Sequence, residues 1–141
     1  MSAFARNSKV AAYQSVSVHG TVAGADPHRL VLMLMDGILE RLNIACACIE
    51  RGDIGRKAQL LSSCTTLIAE LRGSLNLRDG GPLARNLSDL YEYMARQLLR
   101  GNVENKAHYL REVSSLLGEV RSAWVAIAPE VRSRVTPGAG G

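Results

Sequence analysis

Residues 25–51 read ADPHRLVLMLMDGILERLNIACACIER, and this stretch decides the fold of the chain. Asp26 suits the N-cap and Pro27 suits the first helical position, because a side-chain oxygen can accept from a free helix amide and proline lacks that amide. Apolar residues then recur every three or four positions, which predicts a helix. The apolar surface covers about half of the helix, more than the ~100° stripe of an ordinary surface helix. We therefore expect neighbours on more than one side, or an apolar face that awaits a partner.

Three further amphipathic segments follow, and they are expected to be helices over about 53–76, 82–101 and 103–128. The connection after Arg51 is so short that the first two helices must pack antiparallel. No stretch shows the alternation of a β-strand over a useful length. The chain is therefore predicted to be all-α, an antiparallel up-down four-helix bundle over residues 26–128.

The two ends of the chain differ from this helical part. Residues 1–25 show no persistent helical period and are expected to form a flexible N-terminal arm. Within this arm Tyr13, Val16 and Val18 are apolar, so we expect them to anchor the arm in a groove of the bundle. Residues 129–141 are basic and rich in glycine, and we expect a disordered tail there.

Composition excludes several classes of protein. The chain of 141 residues is 47% hydrophobic and 21% charged, which is typical of a globular domain. The run Leu30–Met35 is far shorter than the ~20 apolar residues that span a bilayer, and the N-terminus lacks the apolar region of a secretory signal. A cytoplasmic protein is therefore expected. The net charge of +4 is spread thinly, without a basic patch for nucleic acid.

The cysteine, histidine and acidic residues do not form the pattern of a catalytic or metal-binding site. Cys46 and Cys48 point to opposite sides of a helix and cannot share a metal ion, and Cys64 has no histidine or acid at a neighbouring helical position to activate its thiol. No Glu-x-x-His pair suggests a di-iron bundle. The segment Gly52–Lys57 lacks the ending of a phosphate-binding loop. We expect neither enzymatic activity nor a cofactor or metal ion.

The remaining functional signal is an excess of apolar surface. Grooves between helices of a bundle suit an amphipathic helix from another protein. We expect such a groove to be lined by five residues of the first two helices: Val31, Met35, Leu39, Leu60 and Leu67. The same residues could equally form ordinary core, since periodicity does not tell which of two apolar faces lies inside. Gly37, inside the first helix, indicates either close approach of a neighbouring helix or a shallow spot on the surface.

Four separated motifs resemble the flagellar secretion chaperone family, FliS. In chain order they are AYQSVSV at 12–18, DPHRLVLMLMDG at 26–37, NLSDLYEYM at 86–94 and EVRSAW at 119–124. Two residues depart from the family pattern. Asp26 stands where serine is usual, which retains a capping side chain. Met35 stands where tyrosine is usual before Asp-Gly, which removes a hydroxyl group.

The resemblance implies a function that composition and periodicity could not supply. Members of this family are cytoplasmic export chaperones that bind the disordered C-terminal segment of flagellin and keep it monomeric. The N-terminal arm packs on the body and is displaced when flagellin binds. Handover to the flagellar export machinery then follows. Two other interpretations stay open from the residues alone, a homodimer formed through the same apolar surface and a regulatory adaptor for another flagellar factor.

Overall fold

The computed structural model describes residues 26–137, and this part of the chain consists of five helices joined by turns, without a β-strand. The helices are α1 Pro27–Arg51, α2 Ile54–Gly73, α3 Gly81–Glu104, α4 Ala107–Ala126 and α5 Pro129–Val135. The predicted all-α class is confirmed. The predicted N-terminal arm over 1–25 lies outside the described residues.

The first two helices begin and end where local chemistry predicts. An oxygen of Asp26 accepts from the Arg29 amide at 2.7 Å, and an oxygen of Asp53 accepts from the Arg56 amide at 3.3 Å. Gly52 ends α1 in the left-handed region with φ 76°, a conformation that costs glycine little because it has no Cβ. The chain thus reverses between α1 and α2 over only two residues.

Helices α1 to α4 form a closed ring in which each packs against the next and α4 returns to α1. Contacts at both ends of α2 show that α2 and α3 are antiparallel. At its start, Lys57 donates to the carbonyl oxygen of Asn102 near the end of α3. At its end, Arg72 donates to the hydroxyl of Ser88 near the start of α3. The α2–α3 pair therefore has the antiparallel arrangement that the sequence predicted.

The α1–α4 pair is antiparallel as well. Trp124 Nε1 near the end of α4 donates to the carbonyl oxygen of His28 at the start of α1. One turn earlier in α4, Arg121 pairs with Asp36, two turns further into α1, at 2.6 Å. The four long helices together form an antiparallel bundle.

The interior of this bundle is apolar and draws on all five helices. It contains Val31, Met35, Ile38, Leu42, Ala45, Leu61, Cys64, Leu67, Ile68, Leu71, Ala84, Tyr91, Met94, Leu98, Leu110, Val113, Leu117, Trp124 and Val135. Gly37 is also buried, and a Cβ there would lie 3.6 Å from Leu67 Cδ1. The nearest atom to that Cβ would be Nη1 of Arg41 in the same helix, at 3.1 Å, and 3.6 Å is an ordinary contact distance, so α2 packs beside Gly37 without an unusually close approach.

The third helix is longer than predicted. It continues through Gly101 to Glu104, and Asn105 ends it with φ 58°. Gly101 is buried because α4 crosses closely there, and a Cβ at this position would meet Leu110 and Tyr109. This glycine therefore provides room for a neighbouring helix and does not stop its own.

The C-terminal segment needs a larger correction. The expectation of disorder from residue 129 onward is wrong for α5, which is helical and has Val135 fully buried at its end. The amide of Asn76, in the α2–α3 connection, donates to the carbonyl oxygen of Val135 at 2.7 Å. Buried Val135 and this backbone hydrogen bond help to order a segment whose composition indicated a disordered tail. Residues 138–141 lie outside the described residues.

Candidate partner-binding groove

An open groove runs along the outside of the bundle between α2 and α3. Its volume is about 380 Å³, and its exposed surface is mostly apolar. Helix α2 supplies Ala58, Leu61, Ser62 and Thr65, and α3 supplies Glu92, Ala95, Arg96, Leu98, Leu99 and Asn102. Small side chains on α2 leave the space, and the buried Leu61 and Leu98 form part of its floor.

The Thr65 hydroxyl on the α2 side does not make this groove strongly polar. Thr65 Oγ1 donates to the carbonyl oxygen of Leu61 at 3.0 Å, within the same helix. A hydroxyl bonded in this way has its donor satisfied and needs no external acceptor. An apolar occupant can therefore cover Thr65 without leaving an unpaired donor.

Exposed leucine and valine side chains extend the apolar surface toward one end of the bundle. Leu99 is 63% exposed and Val103, one turn later on α3, is 75% exposed. Ile54 at the start of α2 is 50% exposed, and the Lys57–Asn102 bond shows that these two helix ends meet. Large apolar side chains exposed at one end of a bundle are typical of sites that bind other proteins.

Charged side chains mark the opposite end of the groove. Glu92 lies 3.3 Å from Arg96 on the same helix and 3.8 Å from Arg72 of α2. All three side chains are about half exposed, so these pairs contribute little to stability. A charged group of a binding partner can therefore replace one member of these ion pairs at a small cost in free energy.

The α2–α3 groove has a different lining from the groove that the sequence predicted. Val31, Met35 and Leu67 are 5%, 0% and 1% exposed and belong to the core. The expectation that they line an open groove is wrong, because α1 packs against both α2 and α4, α2 packs against both α1 and α3, and these residues face the shared interior. Leu39 and Leu60 are half-buried against that core and do not line the α2–α3 groove. Tyr13, Val16 and Val18 lie outside the described residues.

Sequence reasoning missed the residues that do form the groove. Ala58, Ser62 and Thr65 recur at helical spacing on α2, but small residues carry little weight in a search for large apolar side chains. Leu99 was a clearer signal, because it stands beside Leu98 and outside the main apolar stripe of α3. A leucine beyond the core-facing stripe, opposite a row of small residues on the preceding helix, would have indicated this groove.

The cysteines and the other titratable groups show no catalytic arrangement in the part of the chain that is described. Burial raises the pKa of the Cys64 thiol to about 12, so this thiol is a poor nucleophile near neutral pH. No cluster of histidine, cysteine and acidic side chains within residues 26–137 could hold a metal ion. In the same residues, no helix combines the length and hydrophobicity needed to cross a bilayer.

Comparison with known proteins identifies the family. A family model described as flagellar protein FliS matches residues 9–131. The flagellar secretion chaperone FliSB of Pseudomonas aeruginosa is 45% identical over 82% of this chain and 92% of its own length. The flagellar secretion chaperone FliS of Salmonella typhimurium is 40% identical over 87% of this chain and 92% of its own. That of Vibrio cholerae is 39% identical over 84% and 88%.

These matches span the four-helix bundle and cover most of each relative. The relatives are named as chaperones, which is a non-enzymatic role and agrees with the prediction that this protein is not an enzyme. The resemblance drawn from the four sequence motifs is confirmed. The chain belongs to the flagellar secretion chaperone family FliS.

Proposed function

We propose that this protein binds the disordered C-terminal segment of flagellin in the groove between α2 and α3. Binding covers the apolar face through which flagellin subunits would otherwise associate, and so prevents premature polymerisation in the cytosol. The chaperone then delivers the subunit to the flagellar type III export machinery. The observation that carries this proposal is the open apolar groove with Leu99 63% exposed, in a member of the FliS family.

The dimensions of the groove favour a helical occupant. Its lining runs from Ala58 to Thr65 on α2 and from Glu92 to Asn102 on α3, which is about 10 to 15 Å at 1.5 Å per residue. Two to three turns of an amphipathic helix fit that length. Apolar residues at positions i, i+3 or i+4, and i+7 would face the groove.

Binding needs no nucleotide or metal ion, because burial of apolar surface supplies the free energy. A segment that becomes ordered on binding gives up about 2–5 kcal/mol of the gross interaction free energy. The complex can therefore bury a large surface and still dissociate when the client is passed on. Residues Tyr13, Val16 and Val18 are proposed to cover apolar surface of the bundle until flagellin displaces them.

Calorimetric titration with the flagellin C-terminal segment tests this proposal. Leu99→Glu places a charge in the apolar contact and is expected to weaken binding by at least about thirtyfold, since burying an unpaired charged group costs about 2 kcal/mol or more. Val125→Glu is the matched control, because Val125 on α4 is similarly exposed, at 51%, and does not line the groove. Circular dichroism would verify that both variants keep their helix content.

The outcomes test two claims separately, the identity of the client and the location of its binding site. Both claims are supported if the wild type binds tightly with one-to-one stoichiometry, Leu99→Glu weakens that binding and Val125→Glu leaves it intact. Equal effects of the two variants would exclude the α2–α3 groove and keep flagellin as the client. Failure of the wild-type protein to bind would exclude flagellin as the client.

A second candidate function is self-association through the same surface. It is favoured by the exposure of Ile54, Leu99 and Val103 at one end of the bundle. Sedimentation equilibrium without flagellin distinguishes it, since a homodimer would show a mass that rises with concentration. Leu99→Glu would then lower that mass to the monomer value.

A further inference from the structure

Helix α5 packs across one end of the bundle through a small number of contacts. Val135 is buried, Thr136 is 9% exposed, and the carbonyl oxygen of Val135 accepts from the Asn76 amide at 2.7 Å. Val131 is partly buried against the core. Because seven residues are too few for a stable isolated helix, α5 depends on this packing for its structure.

His28 lies beside α5 in an unusual environment. Its ring stacks on the indole of Trp124, with ring centroids 5.4 Å apart and an interplanar angle of 28°. Its Nδ1 atom is the one buried side-chain nitrogen or oxygen within residues 26–137 that has no hydrogen-bond partner. A proton placed on Nδ1 would therefore have no acceptor, which is costly for a buried donor.

His28 and α5 both line a cavity of about 190 Å³, and two charged side chains line it as well. These are Arg132 of α5 and Asp26, the N-cap of α1. The α4 side contributes the uncharged indole of Trp124. His28 thus stacks on an aromatic ring and shares a cavity with a guanidinium group whose position depends on the docking of α5.

We propose that α5 is a pH-sensitive clasp, which is docked while His28 is neutral and is released when His28 takes up a proton. Protonation makes an imidazolium that lines the same cavity as the Arg132 guanidinium, and two like charges repel each other. Undocking removes Arg132 from the ring and admits water to Nδ1. This inference does not depend on the identity of the client.

The pKa of His28 supports the geometry. Burial lowers the pKa from its ordinary value of 6.5, the charge of Arg132 lowers it further, and the charge of Asp26 acts in the opposite direction. The docked state consequently binds fewer protons than the undocked state, so the stability of docking rises with pH. Docking is strongest above about pH 6.5 and weakens as the pH falls below that value.

Hydrogen exchange of the full-length protein at pH 7.5, 6.5 and 5.5 tests the clasp. The reporters are the Asn76 amide, which is bonded to α5, and the amides of residues 131–136. After correction for intrinsic exchange rates, their protection is expected to fall by up to about tenfold per pH unit below pH 6.5, because one proton is linked to the opening. Amides in the middle of α1 and α2 are expected to keep their protection over the same range.

Two variants assign the effect to His28. His28→Phe can still stack on Trp124 but cannot take up a proton, so protection of the α5 amides should become independent of pH. His108→Gln removes an exposed histidine on α4 and should behave as the wild type. An unchanged pH dependence in His28→Phe would overturn the proposal.

A direct titration keeps the proposal testable even if His28→Phe does not fold. Imidazole nitrogen chemical shifts of the wild-type protein give the pKa of His28, which is expected below 6.5, and Arg132→Gln should raise it. A pKa at or above 6.5 in the wild type would overturn the clasp, and so would an unchanged pKa in Arg132→Gln.

Discussion

The ammonium group of Lys57 lies 2.9 Å from the carbonyl oxygen of Asn102 and 3.0 Å from Oδ1 of Asn105, although Lys57 is only 2% exposed. This buried cation therefore occupies the C-terminal end of α3, where free carbonyl groups favour positive charge. Because Asn102 also lines the groove, the contact holds α2 and α3 together at the end of the groove that carries the exposed apolar residues.

Replacement of Lys57 by methionine is expected to lower the free energy of unfolding by about 1–3 kcal/mol, because two hydrogen bonds donated by its buried ammonium group to Asn102 and Asn105 are lost. Urea denaturation monitored by circular dichroism measures this change. The control is Arg56→Met at the neighbouring exposed position, which should alter stability by less than about 0.5 kcal/mol. Equal unfolding midpoints for the two variants would show that the Lys57 bonds contribute nothing.

Two glycines inside helices are expected to respond to alanine in opposite directions. Gly101→Ala should destabilise the protein by about 1–3 kcal/mol, because the new Cβ would meet Leu110 and Tyr109 of α4. Gly118→Ala should stabilise it by about 0.5–1 kcal/mol, because nothing lies within 4 Å of a Cβ there and alanine favours the helix. Thermal unfolding of both variants measures the difference, and stabilisation by Gly101→Ala would disprove the close approach of α4.

Substitutions at Met35 and Leu99 are expected to affect different properties, the first mainly stability and the second mainly client binding. Met35→Ala opens a cavity in the core and should cost about 2–5 kcal/mol of stability, whereas Leu99→Ala removes an exposed side chain and should change stability by less than about 0.5 kcal/mol. For affinity toward the flagellin segment, measured well below either unfolding midpoint, Leu99→Ala should have the larger effect. A larger loss of affinity in Met35→Ala than in Leu99→Ala would indicate that Met35 contacts the client.

The thiols are expected to differ in reactivity. Burial raises the pKa of Cys64 to about 12 and also raises the pKa of the half-buried Cys46. A raised pKa lowers the thiolate fraction at a given pH, so at pH 8 about one Cys64 thiol in ten thousand is ionised. A disulfide reagent followed by peptide mass spectrometry should label Cys46 before Cys64, and labelling should accelerate as the pH rises. Labelling of Cys64 as fast as Cys46 would contradict its burial.

Local chemistry explains why the helix positions could be predicted. Asp26 with Pro27 begins α1, and Gly52 with Asp53 ends it and begins α2, because caps act through atoms a few residues apart in the chain. The same local rule failed at Gly101, where the reason for the glycine is a side chain of the next helix. Composition failed at α5, where Val135 is buried by residues that are distant in sequence.

The sequence by itself determined the all-α class, the bounds of α1 within a residue or two, the antiparallel connection to α2 and, through four motifs, the FliS family. Only the tertiary structure decided which apolar face is interior, so that Met35 and Leu67 became core while Leu99 stayed exposed beside the groove. The physical reason is that helical periodicity reports which residues share a face, and that information is carried within a single segment. Burial depends on what covers that face, and for each of these helices the covering residues come from other parts of the chain.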